Sequence, residues 1–531
     1  MPGEYPGWPL LLISRSLPTV FSVKSTRLRD ASSGALAAGL ALGMSELLAG
    51  LVVSVPSLVE SLGNWVIDNV PQPVKEWAIA TFGTADKPIL LAGIIVVTLV
   101  IGSVVGVVAR DRFWMATLVF VAFGLIALAA AATDPQVSPI FAATSAGLAA
   151  VAGVGTLRML YTIGQPKPDG SSDTSRRNFL VGAGAVLGVA ALAGTIGRVL
   201  IESAKRAVAG RDDVSLPSAA RPLPSVSERA NFEIDGLEQI LVPNEDFYRI
   251  DTALSVPRVD LQEWTLSVTG MVDRPYTIDF SDLIDMRMVE RDITLSCVSN
   301  QVGGGLVGNA RWLGVPLTEI LDRAGVQPDA GQIVARSVDD FTVGFPVEAA
   351  YDGREALLAV GMNGEPLPFE HGFPARLVVA GLYGYVSATK WLSEIELTTW
   401  EGFDAYWIPR GWAKEAPIKT QSRIDTPAQN AEVSLGGQVV AGVAWAPTRG
   451  ISKVEVQLGA GQPWVEAELS EPLSENAWVQ WRLDWDAAGE GRVEIRCRAT
   501  DGDGDTQTEE VRPPAPDGAT GWHTRAVFVR A

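Results

Sequence analysis

Hydrophobic and polar positions divide this chain a little past residue 200. Before that point, apolar runs recur at about 33–55, 88–108, 113–132, 137–161 and 179–200, each close to the roughly 20 residues that cross a bilayer as a helix. Residues 201–230 carry Pro217, Pro222 and Pro224 among serines and charges, which is linker composition. From 231 to 415, short alternating runs such as 264–269 mix with a helical stretch at 316–324, whose proline suits a first turn. That mixture predicts an α+β domain. From 416 to 531, the alternating segments 438–445, 452–458 and 492–498 are separated by glycine and proline turns, which predicts a β-sandwich. The expected architecture is therefore multidomain: a five-helix transmembrane region over 1–200, a linker, an α+β domain and a β-sandwich.

Charge orients this arrangement. Lys24, Arg27 and Arg29 precede the first span, Arg110 and Arg112 separate the second from the third, and Lys167, Arg176 and Arg177 lie between the fourth and fifth. The loops at 56–87 and 133–136 hold only Lys75 and Lys87 against several acids. Basic loops stay in the cytoplasm, so the N-terminus lies inside and the C-terminal part outside, as a multi-pass protein of the cell membrane in contact with lipid. Residues 1–200 carry 13 Lys and Arg against 11 Asp and Glu, whereas the remainder carries 29 against 50. So acidic an outer part repels polyanions, and nucleic acid is excluded as a partner.

Individual residues in the apolar region add detail. Glu46 interrupts the first span, and an ionisable group there must be neutral, paired or solvated. A neutral acid bonded to a neighbouring helix accounts for it, with a proton or quinone site as the functional alternative. The chain has two histidines, His371 and His523; both follow the last apolar run, so the spans cannot hold a haem between two histidines, and no Cys-x-x-Cys-His is present. Ser175-Arg176-Arg177-Asn178-Phe179-Leu180, at the start of the fifth span, looks like a twin-arginine export signal, the route taken by proteins folded before crossing.

The two cysteines, Cys297 and Cys497, cannot build a disulfide framework or a four-thiolate metal site. Cys297 ends a strand-like run at 292–296 and precedes glycines that let backbone amides approach a ligand, a suitable place for one soft donor that shares its metal with a cofactor. Cys497 lies in an alternating strand and is expected in a core.

The run Thr294-Leu-Ser-Cys297-Val-Ser-Asn300 is followed in order by Gly361-Met-Asn-Gly-Glu-Pro-Leu-Pro368, His371-Gly-Phe-Pro-Ala-Arg376 and Gly381-Leu-Tyr-Gly-Tyr-Val-Ser387-Ala-Thr-Lys390-Trp391. These motifs resemble the successive signatures of the sulfite oxidase family of molybdenum enzymes, and the resemblance covers roughly residues 230–531. It implies a sulfite-oxidase-type molybdopterin domain at 231–415 and an immunoglobulin-like dimerisation-type domain at 416–531. It also implies a molybdenum–molybdopterin cofactor whose metal is bound by Cys297. His371, Arg376, Ser387, Thr389, Lys390 and Asp339 match cofactor-binding positions.

On the substrate side the pattern departs from the sulfite-oxidising members. Their Arg-Asn-His run is missing, and Phe247-Tyr248-Arg249-Ile250-Asp251 stands in its place. The stretch 244–249 is closer to the Asn-Phe-Tyr run of the bacterial periplasmic methionine sulfoxide reductase catalytic subunit, of the same superfamily. That match puts Tyr248 and Arg249 beside the cofactor and, with Cys297, in the catalytic set. Arg249 and Arg311 remain as possible sources of positive charge for an anion. Together with the apolar runs, the resemblance implies a membrane-anchored oxidoreductase that transfers an oxygen atom to or from a small-molecule substrate and reduces an S-oxide or N-oxide, with sulfite oxidation as the alternative. Its electrons would come from a separate transfer partner or quinol, in a homodimer or membrane complex. A non-catalytic membrane scaffold or sensor is the reading from another class.

Overall fold

The computed structural model describes residues 20–52, 55–82, 85–133, 137–164, 172–208, 210–257 and 259–531. They form two units, Met1–Ala204 and Lys205–Ala531.

The first unit is helical: α1 (Val20–Leu51), α2 (Leu58–Asn69), α3 (Gln72–Phe82), α4 (Asp86–Ala109), α5 (Phe113–Ala131), α6 (Pro139–Gly164) and α7 (Ser172–Val208). Among its described residues, five stretches are long and apolar enough to cross a membrane: Arg27–Leu51, Asp86–Ala109, Phe113–Ala131, Pro139–Ile163 and Ser175–Ile201. The first and fifth begin earlier than their apolar runs, because helical hydrogen bonding continues into the polar flanks. Lys167, the loop at 134–136 and the side chains of Lys24, Lys205 and Arg206 lie outside the described residues.

Small residues let the helices of this unit meet. A Cβ on Gly34 of α1 would strike the Gly102 carbonyl of α4, and one on Gly106 would strike the Asp30 carbonyl. Gly102 and Gly106 are spaced as in the close-packing motif of membrane helices, where backbone approach replaces hydrophobic driving force. Glu46 is part of an ionic group. Its carboxylate accepts from Ser57 Oγ at 2.6 Å and pairs with Arg198 Nε at 2.8 Å, while Arg198 Nη1 also reaches Glu60 at 2.5 Å. Ser57 additionally caps α2 by accepting from the Glu60 amide at 3.2 Å. The segment expected as a plain outer loop thus folds into α2, held to α1 and α7 by one guanidinium.

The second unit begins with a strap rather than a free linker. Arg211 donates to the carbonyls of Leu367 at 2.9 Å and Pro366 at 2.7 Å, the Ala220 amide donates to Met288 O at 2.8 Å, and Val214, Leu216, Ala219 and Val226 pack on the core. An α+β domain follows. One sheet has the order β2-β1-β10-β5-β6, from β1 (Thr265–Gly270), β2 (Tyr276–Asp279), β5 (Gln332–Ser337), β6 (Thr342–Pro346) and β10 (Leu392–Thr398). The other runs β3-β4-β7-β8 with β9 also on β7, from β3 (Val289–Ser296), β4 (Val307–Pro316), β7 (Ala356–Met362), β8 (Glu365–Pro366) and β9 (Arg376–Val379). Helices α8 (Phe280–Ile284), α9 (Leu317–Ala324) and α10 (Gly384–Ser387) complete it. Pro316 is the N-cap of α9, one residue before the first turn expected of it, and Leu317, Ile320, Leu321 and Ala324 form the buried face at helical spacing.

A β-rich domain closes the chain. Its sheets are β11-β13-β17-β16 and β12-β19-β18-β14-β15, built from β11 (Gln421–Thr426), β12 (Glu432–Ser434), β13 (Gly436–Trp445), β14 (Ile451–Leu458), β15 (Trp464–Glu466), β16 (Glu468–Leu469), β17 (Val479–Ala487), β18 (Gly491–Asp501) and β19 (His523–Arg530). Both sheets contribute to one core that includes Ile424, Trp481, Ile495 and Val527. Cys497 is buried there as a free thiol and receives a bond from Ser422 Oγ at 3.3 Å.

Removing the cation that joins α1, α2 and α7 strands two carboxylates. Arg198→Ala should cost the detergent-solubilised protein on the order of 1.5–3 kcal/mol. Glu46→Gln combined with Arg198→Ala should cost less than Arg198→Ala alone, a non-additivity measurable by thermal denaturation.

Candidate active site

Cys297 stands at the exit of β3, a strand buried over its last five residues. β3 pairs antiparallel with β4 and ends at the Ser296–Val307 pair, leaving a connection at 297–306. That connection closes on itself. The Cys297 amide donates to Leu306 O at 2.9 Å, the Leu306 amide donates to Asn300 Oδ1 at 2.9 Å, and the Asn300 amide donates to Cys297 O at 3.0 Å. Gly303 supplies the left-handed turn, with φ of 75°. Cys297 is a free thiol, 9% exposed, and burial pushes its pKa up, partly offset by hydrogen bonding to Ser299. Among the described residues no three His, Cys, Asp or Glu side chains converge as a metal site, so any metal at Cys297 needs ligands from a cofactor.

An aromatic layer adjoins the thiol. Phe247 stacks on Tyr248 at 5.2 Å and meets Trp312 at 5.9 Å and His371 at 5.4 Å edge to face. The segment is held by Asn363, in the turn between β7 and β8, which donates to Val242 O at 2.8 Å and Asn244 Oδ1 at 3.0 Å. The motif at 361–368 therefore positions residues 244–249 instead of touching the thiol. Tyr248 is half-buried, and its pKa is pushed far up, first by burial and then by the Cys297 charge, with Arg376 opposing.

Arg376 opens β9 beneath this layer. Its guanidinium lies over the Trp312 ring at 5.1 Å and donates to His371 O at 3.1 Å. It is 5% exposed and has no carboxylate partner among the described residues. Burial lowers its pKa to about 10. His371 bonds Asn244 O through Nε2 at 3.1 Å, and its pKa is driven down to about 4, first by burial and then by Arg376 and Lys390. A neutral ring bonded at Nε2 leaves Nδ1 as an acceptor.

Lys390 and Arg249 share one acid. Asp251 Oδ2 is 2.8 Å from Lys390 Nζ and 2.8 Å from Arg249 Nε. Burial brings Lys390 down to about 8, with Asp251 opposing. Asp339 is near enough to feel the Asp251 charge, and its pKa is raised, mainly by burial. The structure thus brings together Cys297, Tyr248, His371 and Arg376, with Arg249, Lys390 and Asp339 grouped around Asp251. Ser387 is turned inward, its hydroxyl donating to Tyr383 O at 3.1 Å and Leu382 O at 3.3 Å. Arg311 is committed elsewhere, in a two-point bond to Asp292 at 2.9 Å.

Tyr383 belongs to this site although it was not singled out from the sequence. Its pKa is pushed up to about 12, mainly by burial, and it lies within reach of the Cys297 charge. It stands inside the motif at 381–391, which was the available signal.

The residues present fit a pterin cofactor with a phosphate. Arg376 is a buried cation lacking an anion, and the Thr389 hydroxyl is fully buried without a partner among the described residues. Together with one thiol, they would supply a fork for phosphate, a further polar contact and a soft metal ligand. A molybdenum–molybdopterin group would provide two-electron oxygen-atom transfer there.

Comparison with known proteins bears directly on this fit. Residues 253–407 match the oxidoreductase molybdopterin binding domain and residues 413–514 the Mo-co oxidoreductase dimerisation domain. The uncharacterized oxidoreductase YuiH of Bacillus subtilis is 35% identical over 153 residues, which is 29% of this chain and 74% of that protein. The chain belongs to the sulfite oxidase family of molybdenum oxidoreductases. The mitochondrial sulfite oxidase of Rattus norvegicus is 28% identical over 341 residues, 55% of this chain, and the match spans 61% of that enzyme's length. The sulfite oxidase of Arabidopsis thaliana is 26% identical over 377 residues, covering 57% of this chain and 93% of that protein. Both domain matches lie in the second unit, and molybdenum–molybdopterin is the cofactor the family implies.

Arg376→Ala should lose cofactor before it slows chemistry. A charge-assisted bond is worth about 1.5–3 kcal/mol, so retention should fall by roughly one to two orders of magnitude; pterin measured after gel filtration reports it. Thr389→Val should weaken retention while leaving the cofactor-free protein as stable or more so, since it removes an unpartnered hydroxyl.

His371 makes the folded chain acid-sensitive. Between its folded value of about 4 and the ordinary 6.5, the unfolded chain takes up a proton that the folded chain does not. Stability therefore falls as pH drops through that window, by up to about 1.4 kcal/mol per pH unit. Chemical denaturation at pH 7 and pH 4.5 should show a flatter dependence in His371→Gln.

Proposed function

We propose that this chain is a membrane-anchored, extracytoplasmic molybdenum oxidoreductase that removes oxygen from an S-oxide or N-oxide. The observation that carries the reading is Asp251. The two cations that could hold an anionic substrate, Arg249 and Lys390, both pair with this one buried carboxylate, which halves their combined charge. Arg311, the other candidate, is neutralised by Asp292. A dipolar but uncharged S-oxide or N-oxide needs hydrogen-bond donors and no net positive field, whereas sulfite needs cations.

Removal of one oxygen as water consumes two electrons and two protons. The electrons come from a separate carrier or quinol, since the chain's two histidines are both engaged in the second unit, His371 with Asn244 and His523 with Ile424. The basic residues before the first span and the exposed Arg176 and Arg177 at the start of α7 support export of the catalytic part, with the arginine pair as a twin-arginine signal. The division into residues 1–200, 201–230, 231–415 and 416–531 belongs to the same reading. In it the last domain is immunoglobulin-like and pairs two copies: its match to a dimerisation domain supports the pairing. Lettered in chain order with the short β12 and β15 set aside, its strands neighbour one another as A-B-E-D and G-F-C, the immunoglobulin arrangement.

Sulfite oxidation is the second reading, favoured by the names of the relatives. Purified, cofactor-loaded protein assayed with artificial electron dyes against sulfite and a panel of sulfoxides and N-oxides separates the two. The expected outcome is oxide reduction, abolished in Cys297→Ser. In Asp251→Asn, freed cations should add inhibition by sulfate or sulfite, about tenfold tighter than in the wild type for roughly 1.4 kcal/mol of restored attraction. Faster sulfite oxidation than oxide reduction by the wild type would overturn the proposal.

A further inference from the structure

We propose that Arg423 and His523 of the β-rich domain are positioning residues for Cys297, and that this domain sets the thiol's place within its own chain in addition to any role in pairing subunits. The connection at 297–306 carries Cys297 at its start and has two contacts with that domain near its end. Arg423 of β11 donates from Nη1 to Gly304 O at 3.1 Å. The His523 ring lies over Gly303, so close that a Cβ on Gly303 would run into it.

Both side chains are themselves held. Arg423 is buried and pairs with Asp425 at 2.5 Å and Glu238 at 3.3 Å. The Ile424 amide donates to His523 Nδ1 at 2.9 Å, which orients the ring. That bond needs an unprotonated Nδ1, and burial accordingly lowers the His523 pKa to about 4, so the ring stays neutral across the ordinary pH range.

The strand entering Cys297 is gripped from the same domain. The Thr294 amide donates to Asn476 O at 2.9 Å, and Thr294 Oγ1 accepts from the Trp478 amide at 2.7 Å. Ser474 Oγ donates to Asp292 O at 2.7 Å. The β3–β4 hairpin is therefore fixed by the β-rich domain on the way into Cys297 and on the way out. Without the exit contacts, the glycines at 303–305 leave the turn free to shift, and small displacements of a ligand atom are costly in a preorganised site.

His523→Asn separates this role from folding, because the asparagine Oδ1 can still accept from the Ile424 amide while the ring over Gly303 is lost. In full-length, cofactor-loaded protein we expect amide exchange at 300–306 to quicken by about tenfold with exchange in β18 unchanged. We also expect kcat for the oxide substrate to fall with KM little altered. Arg423→Lys keeps the charge against Asp425 and Glu238 but loses the fork, and should loosen the same amides. Unchanged exchange at 300–306 in both variants would overturn the proposal. Loss of exchange protection throughout β18 in both would assign the two residues to the domain's own folding and overturn it equally. The exchange result does not depend on which substrate the enzyme takes, so it can fail or hold independently of the proposed function.

Discussion

A guanidinium beside Trp312, Tyr248 and His371, with no carboxylate partner among the described residues, sets the terms for the rest of the catalytic unit. A buried cation is tolerated only if something anionic or strongly polar completes it. Around Arg376, the neighbouring groups adjust to that charge. His371 stays neutral and offers an acceptor, and Lys390 is compensated by Asp251. Tyr248 keeps its proton because burial outweighs the pull of the Arg376 charge. The site is arranged to hold one more negative group, and the phosphate of the family's cofactor would meet that need.

The same economy of charge bears on the substrate. Asp251 sits between Arg249 and Lys390, the two cations nearest at hand for an oxyanion in the proposed reading. One buried acid shared by two cations halves their combined charge and leaves a single net positive charge among the three. In the proposed reading, this pairing weakens the pull on an anion without adding a repulsive group.

In the helical unit a parallel constraint acts on helices long and apolar enough to cross a membrane. The close backbone approach at Gly34, Gly102 and Gly106 supplies the kind of packing that joins helices where lipid removes the hydrophobic driving force. Glu46 is then acceptable because Arg198 and Ser57 meet it from α7 and from the cap of α2. One acid thereby defines where a short helix sits on the bundle.

Much of this was legible from residue order alone. Runs of about 20 apolar residues can only be long helices, so their number and near-boundaries follow from composition. Alternation in 438–445 or 492–498 commits those segments to strands. The motifs around Cys297, His371, Arg376 and Lys390 are local, each carrying its chemistry within a dozen residues, and the family could be read from their succession. What residue order could not supply were pairings between distant segments: Arg198 with Glu46, Asp251 with Lys390, Arg311 with Asp292, Arg423 and His523 with the turn after Cys297. Even Ser387, inside a recognised motif, turns its hydroxyl to backbone carbonyls for reasons of local geometry. Periodicity and motif are properties of neighbours along the chain, whereas ion pairs and orphaned polar atoms depend on which surfaces the fold brings within about 3 Å of one another. Only the tertiary structure decides that.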